Sequence, residues 1–232
     1  MIRSAYPFYK LSGLFILTAL IVNLASCKTG ETTDVPLGNA HLLLVNSAPN
    51  SSAINFYWTG NKFNSVPLVY GNTTGYQTLT SGIREVQVKA NLTNKLLATS
   101  TIHVKQDSSY SFFIYEANNA ISTVMSEDDL SLPSVGNAKI KLVNLSAGLS
   151  SADLIIANGP VLASSVSFGS IGTYAELKAG TYNFSLLVHG TTTTVLAIPN
   201  VRLDNGKIYT IWSGGAVNGS GTTALSTQII SQ

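Results

Sequence analysis

The chain has 232 residues, 45% hydrophobic and only 10% charged, with 19 glycines, 7 prolines, one cysteine and a formal net charge of +2. Soluble domains average about 25% charged residues; low charge with abundant Ser, Thr, Val and Tyr excludes a disordered chain and favours strands, where β-branched and aromatic side chains suit a pleated, half-buried surface. Arg3 and Lys10 carry the whole positive excess, so nothing after them forms a basic surface for nucleic acid.

In chain order, Arg3 and Lys10 precede an apolar run from Leu11 to about Val22 that Asn23 and Ser26 close. Charge followed by an apolar run is the order of a secretory signal, and the run is shorter than the about 20 residues of a spanning helix. Leu24-Ala25-Ser26-Cys27 resembles the lipobox of bacterial lipoproteins. That resemblance implies that the small residues admit the signal peptidase, that the Cys27 thiol takes a diacylglycerol, and that Cys27 becomes the first residue. Several acyl chains, each buried methylene worth about 0.8 kcal/mol, then hold the protein on a membrane. Segment 1–26 is expected to be a lipoprotein signal peptide, and segment 27–37, which lacks apolar periodicity, a lipidated tether. Lys28 follows the cysteine with no aspartate beside it, which favours the outer membrane; periplasmic and surface-facing orientations both stay open.

An internal repeat organises the rest. Gly38-Asn39-Ala40-His41-Leu42-Leu43-Leu44-Val45-Asn46 is echoed by Gly136-Asn137-Ala138-Lys139-Ile140-Lys141-Leu142-Val143-Asn144. Tyr70-Gly71 then matches Phe168-Gly169, Tyr76 matches Tyr174, and Tyr110 matches Tyr209 after a one-residue shift. Two modules are expected, 38–131 and 136–232, joined by a linker at 132–135. The second copy alternates where the first does not: Lys139 and Lys141 read as outward, Ile140 and Leu142 as inward. By correspondence Leu42 and Leu44 are core and Leu43 points out.

Further strands follow from alternation and punctuation. Ile54, Phe56 and Trp58 share a face, as do Leu154 and Ile156; Gly60-Asn61 and Asn158-Gly159 end these strands, and Asp204-Asn205-Gly206 marks a hairpin. About seven short strands per copy with no amphipathic helix predict an all-β protein of two tandem antiparallel β-sandwiches, Ig-like or transthyretin-like.

The opening Ala-x-Leu-x-Leu-Val-Asn, the Tyr-Gly or Phe-Gly step, Ala179-Gly180-Thr181-Tyr182 and Lys207-Ile208-Tyr209-Thr210 together resemble the DUF4397 family. The resemblance covers nearly all of the chain after the tether and implies extracytoplasmic β-sandwich modules, common in Bacteroidetes lipoproteins and often tandem. It implies no catalytic residue. Copy one departs from it, with Ser81-Gly82-Ile83-Arg84 in place of Ala-Gly-Thr-Tyr.

Chemistry is sparse. His41, His103 and His189 have no metal-ligand spacing, and neither a G-x-S-x-G elbow nor a phosphate-cradling loop occurs; no catalytic residue, metal or cofactor is expected. Glu127-Asp128-Asp129 reads as a solvated linker rather than a calcium site. Gly214 to Thr223 reads as a flexible tip. Phe113 and Trp212 occupy matching positions out of phase with their core neighbours, so they are the candidate interaction aromatics. With Leu43 they would pack the modules together or against a partner, sugar stacking being the sharper alternative. The function expected is a non-catalytic, lipid-anchored envelope protein that binds a protein or glycan partner. The alternatives are a fimbrial or adhesin subunit or anchor, a carbohydrate-binding module and, last, an envelope hydrolase.

Overall fold

The computed structural model describes residues 38–232; Leu24, Ala25, Ser26 and Cys27, and with them the signal and tether expectations, lie outside the described residues. The first repeat forms β1 (Asn39–Asn46), β2 (Ile54–Trp58), β3 (Asn61–Lys62), β4 (Thr73–Thr80), β5 (Gly82–Ala90), β6 (Leu96–Val104), β7 (Ser109–Ala117) and β8 (Ala120–Glu127). The second forms β9 (Asn137–Asn144), β10 (Ser151–Ile156), β11 (Val161–Ser167), β12 (Ser170–Ile171), β13 (Ala175–Lys178), β14 (Gly180–Val188), β15 (Thr194–Leu203), β16 (Ile208–Gly214) and β17 (Ser226–Ser231).

Each repeat is a two-sheet sandwich. In the first, β4-β1-β7-β8 faces β3-β2-β5-β6; in the second, β12-β9-β16-β17, with β13 also on β9, faces β11-β10-β14-β15. The sheets are antiparallel except for one parallel pair in each module, β1 with β7 and β9 with β16. Strands beyond the expected seven are fragments. β12 and β13 are two pieces of the edge that β4 makes continuously, both paired to β9. β3 is cut to two residues where Asn64 takes over the bonding, accepting from the Phe56 N–H at 2.7 Å and donating to the Ile54 carbonyl.

Alternation places one face of each strand inside its own sandwich. Leu42, Leu44, Ile54, Phe56 and Trp58 share the first core with Phe112 and Ile114, and Ile140, Leu142, Leu154, Phe184 and Ile211 lie in the second. The opposite face departs from expectation. Leu43 and Val45 are 3% and 0% exposed, and Lys139 and Lys141, read as outward, are 7% and 2% exposed. The reason is that β4-β1-β7-β8 lays its outer face against the outer face of β12-β9-β16-β17, so the two sandwiches form one four-layered body.

Candidate functional site

Between the modules lies a third apolar cluster: Leu43, Val45 and Phe113 from the first, and Val143, Leu145, Trp212 and Ile230 from the second. Phe113 and Trp212, at equivalent positions on β7 and β16, are 0% and 1% exposed. The sugar-stacking alternative at these two rings is therefore corrected: they are covered by the neighbouring module and unreachable by a ligand. The aromatic-glycine steps that mark the repeat belong to the same seam. Tyr70 meets Trp212 edge-on, centroids 6.2 Å apart, and Phe168 meets Tyr115 at 5.6 Å and 88°. Gly169, at φ +73°, leaves room for the Tyr115 hydroxyl where a Cβ would stand.

The foot of the seam is polar. Asp128, read as part of a solvated linker, has a side chain 0% exposed and pairs with Lys141, 2% exposed, at 2.6 Å. Its other oxygen accepts from Tyr76 and Ser111, each at 2.7 Å. Gln232 stands in the equivalent place of the second repeat, donating to the Tyr76 oxygen at 2.8 Å and accepting from Tyr174 at 3.1 Å. Lys141 also lies over the Tyr174 ring, 4.6 Å from its centroid. The solvated reading is corrected for Asp128 alone: Glu127 and Asp129 keep exposed side chains and pair with Lys105 and Lys139. The Lys139 ammonium, with Ser131, holds the Asp129 carboxyl down at about 2.

Burial first, then the Asp128 charge, pushes the Tyr76 phenol far above its ordinary value of 10, and burial does the same for Tyr174. A phenol raised in the folded state contributes stability that is full below the unfolded value and lost as pH rises above it, because the unfolded chain releases protons there. Stability is expected to fall above pH about 10 by up to about 1.4 kcal/mol per pH unit for each of these phenols. In Tyr76→Phe/Tyr174→Phe the urea midpoint should decline more shallowly between pH 10 and 11 than in the unaltered chain.

At the far end of β1 and β9 the conserved geometry of the two copies builds a cleft. Asn46 and Asn144, both 0% exposed, lock the following loops. The Asn46 amide donates to the Leu68 carbonyl and accepts from the Ala48 N–H, and Asn144 donates to the Leu149 and Val166 carbonyls. The loops so fixed, Pro49-Asn50 and Leu145 to Ala147, line a cleft of about 390 Å³ with Glu116, Asn118 and Asn119 from the β7–β8 hairpin and Gly215, Ala216 and Thr223 from the β16–β17 loop. Asn118 and Asn119 turn the hairpin at φ 51° and 59°, conformations asparagine tolerates. Two hollows share its walls: one of about 410 Å³ bounded by Asn118, Ala147, Gly148, Ser150, Ser167 and Phe168, and one of about 340 Å³ reached past Asn50, Glu116 and Asn119.

Gly214 to Thr223, read as a flexible tip, is a folded wall. Ala147 N–H donates to Gly215, Val217 N–H to Ala147, and Ala216 N–H to Thr223, and a short 3₁₀ turn spans Gly221–Thr223. Gly215 sits at φ +77°, where a Cβ would lie 2.2 Å from the Ala224 carbonyl oxygen. Gly215→Ala is expected to lower stability by about 1–3 kcal/mol and to raise proteolytic nicking between 214 and 224, read by urea unfolding and mass-mapped digestion. Sequence reasoning missed this cleft, although one signal was present: both copies follow Val-Asn with small and turn-forming residues.

Elsewhere, His189 Nδ1 lies 2.8 Å from Asp153, which also accepts from Ser164 Oγ at 3.0 Å and the Ser165 N–H at 2.7 Å. Burial raises the Asp153 carboxyl pKa, but these hydrogen bonds outweigh it and leave the group below its ordinary value. Ser164 Oγ donates to the carboxylate rather than to the imidazole. Among the described residues, no group of three or more His, Cys, Asp or Glu side chains gathers to hold a metal, and no helix is long and apolar enough to cross a membrane.

Two stretches, 40–155 and 148–231, match the family model DUF4397, a domain of unknown function. The chain belongs to this family. The first match runs past the first sandwich into β9 and β10, so its limits differ from those of the sheets. Among curated proteins none matches. Solved structures similar in part include the family CBM26 module of Eubacterium rectale Amy13K in complex with maltoheptaose, at 13% identity and TM-score 0.26, covering 83% of this chain and 96% of that one. Another describes α-glucan binding by a streptococcal virulence factor, at 10% identity and TM-score 0.24, covering 75% and 92%. The Bacillus anthracis TIE protein matches at 13% identity and TM-score 0.23 over 78% of this chain but 34% of its own. Likenesses this distant carry no functional argument.

Proposed function

We propose that this DUF4397 protein is a non-catalytic, lipid-anchored binding protein of the cell envelope, held on the outer membrane through Cys27 after cleavage at Leu24-Ala25-Ser26. Its binding site is the composite cleft. The observation that carries this reading is that equivalent loops of both repeats wall one cleft, at the end of β1 opposite Gly38, where the tether enters. At about 3.3 Å per residue the eight residues of β1 put the cleft about 26 Å from Gly38. An anchored protein would thus hold the cleft away from its membrane, on loops positioned by a rigid scaffold. Duplication supports the reading as well, because neither repeat alone has both walls.

The test uses the full chain on its own cells, carrying a photo-cross-linking residue at Thr222, exposed next to cleft-lining Thr223, or at Val135, which is fully exposed at the Gly38 end. Capture of a ligand from Thr222 and not from Val135 is expected; no capture at Thr222, or equal capture at both, overturns the binding assignment. Growth with labelled fatty acid should mark the unaltered chain and not Cys27→Ser, and an unaltered chain that takes up no label would overturn the anchor.

A further inference from the structure

We infer that the composite cleft takes a neutral polyhydroxylated ligand, a glycan, with one sugar ring seated against Phe168; this rests on the binding role proposed for the cleft. Three observations carry it. The first is the lining: Asn50, Asn118, Asn119 and Thr223 face the cleft, and Ser150 and Ser167 face the hollow beside it. Amides and hydroxyls both donate and accept hydrogen bonds, as sugar hydroxyls do, so each can serve either end of a ring.

The second is charge. Glu116 is the one ionisable group lining the cleft, and its carboxylate already accepts from Asn50 at 2.9 Å. No cation lines the cleft or the Phe168 hollow, Lys95 lining only the other one, so an anionic ligand seated against Phe168 would meet a carboxylate and no cation in those two spaces. The third is the ring itself. Phe168 is half-buried at the wall of its hollow and pinned edge-to-face by Tyr115. Its orientation is set before a ligand arrives, which lowers the ordering cost of binding. An aromatic face complements the apolar C–H face of a pyranose, and the cleft and the Phe168 hollow, about 390 and 410 Å³, each fall in the about 300–1,000 Å³ range of small-ligand sites. Peptide recognition would call for a free sheet edge or a deep apolar pocket, and the apolar wall here is only Pro49, Leu145, Ala147 and Ala216.

The test is a panel of neutral gluco-, manno-, galacto- and xylo-oligosaccharides, each beside a uronic-acid or sulfated counterpart, titrated against the full chain in detergent. At least one neutral oligosaccharide should bind, more tightly than its charged counterpart. Phe168→Ala should weaken it about tenfold or more while Phe168→Tyr retains it. Asn118→Gly removes the amide and keeps the turn, whose φ is 51°, so it should weaken binding severalfold without unfolding. Binding to none of the neutral oligosaccharides, preference for the charged counterparts, or binding unaffected by both Phe168→Ala and Asn118→Gly overturns the inference. The outcomes separate from those of the parent reading. A blank panel with a polypeptide captured at Thr222 removes the glycan and keeps the cleft, whereas a blank panel with no capture there removes both.

Discussion

Asp128→Ala is expected to destabilise the protein by about 3–5 kcal/mol, the usual consequence of removing one partner of a buried ion pair. Lys141, 2% exposed, would keep its charge and lose the one carboxylate it pairs with, and the hydroxyls of Tyr76 and Ser111 would lose their acceptor. The effect comes from the orphaned charge more than from the pair's own net attraction, because desolvation of both ions offsets most of that attraction. Asp128→Asn/Lys141→Met should therefore recover most of the loss, since the amide oxygen still accepts from Tyr76 and Ser111 while no charge is left buried. Urea unfolding of the single and double variants checks this. A single-variant cost below about 1 kcal/mol would mean that the pair is solvated.

Trp212→Ala should have a comparable effect, about 3–5 kcal/mol, the range for truncating a fully buried aromatic. Trp212 is 1% exposed and contacts Tyr70 across the seam, so the void would open between the modules rather than inside either. The urea midpoint should fall, and tryptophan emission should lose the Trp212 contribution, leaving that of Trp58, which is buried in the first core. Trp212→Phe should cost much less, because the smaller ring still fills most of the site.

The repeat, the strands and the inward faces were legible in the residues because each rests on local pattern. Lys139-Ile140-Lys141-Leu142 supplied the alternation that Leu42-Leu43-Leu44 lacked, and Ile140 and Leu142 do lie in the core. What alternation cannot report is whether a second layer covers the outer face. Two lysines on one face read as solvent-facing, yet Lys141 is buried because its anion arrives from a segment 13 residues earlier in the chain, at the end of the other module. Leu43, Phe113 and Trp212, apolar residues on an outward face in both copies, were the trace of that covering layer. The cleft was hidden for a different reason. Its walls come from four loops separated by up to about 170 residues in sequence, and each loop alone reads as an ordinary turn. The same spacing concealed the His189–Asp153 contact, whose members lie on separate strands and loops of one sheet.

Because the cleft exists only if the sandwiches are held face to face, the central claim is that the two repeats fold as one body. Differential scanning calorimetry of the full chain tests it most directly. At about 0.7 kcal/mol per residue near 60 °C, a single cooperative unit of this size should unfold in one transition of about 140 kcal/mol, its van't Hoff and calorimetric enthalpies agreeing. Both Asp128→Ala and Trp212→Ala should lower the midpoint of that transition. Two transitions of about 70 kcal/mol each, with Trp212→Ala moving only one of them, would contradict the account.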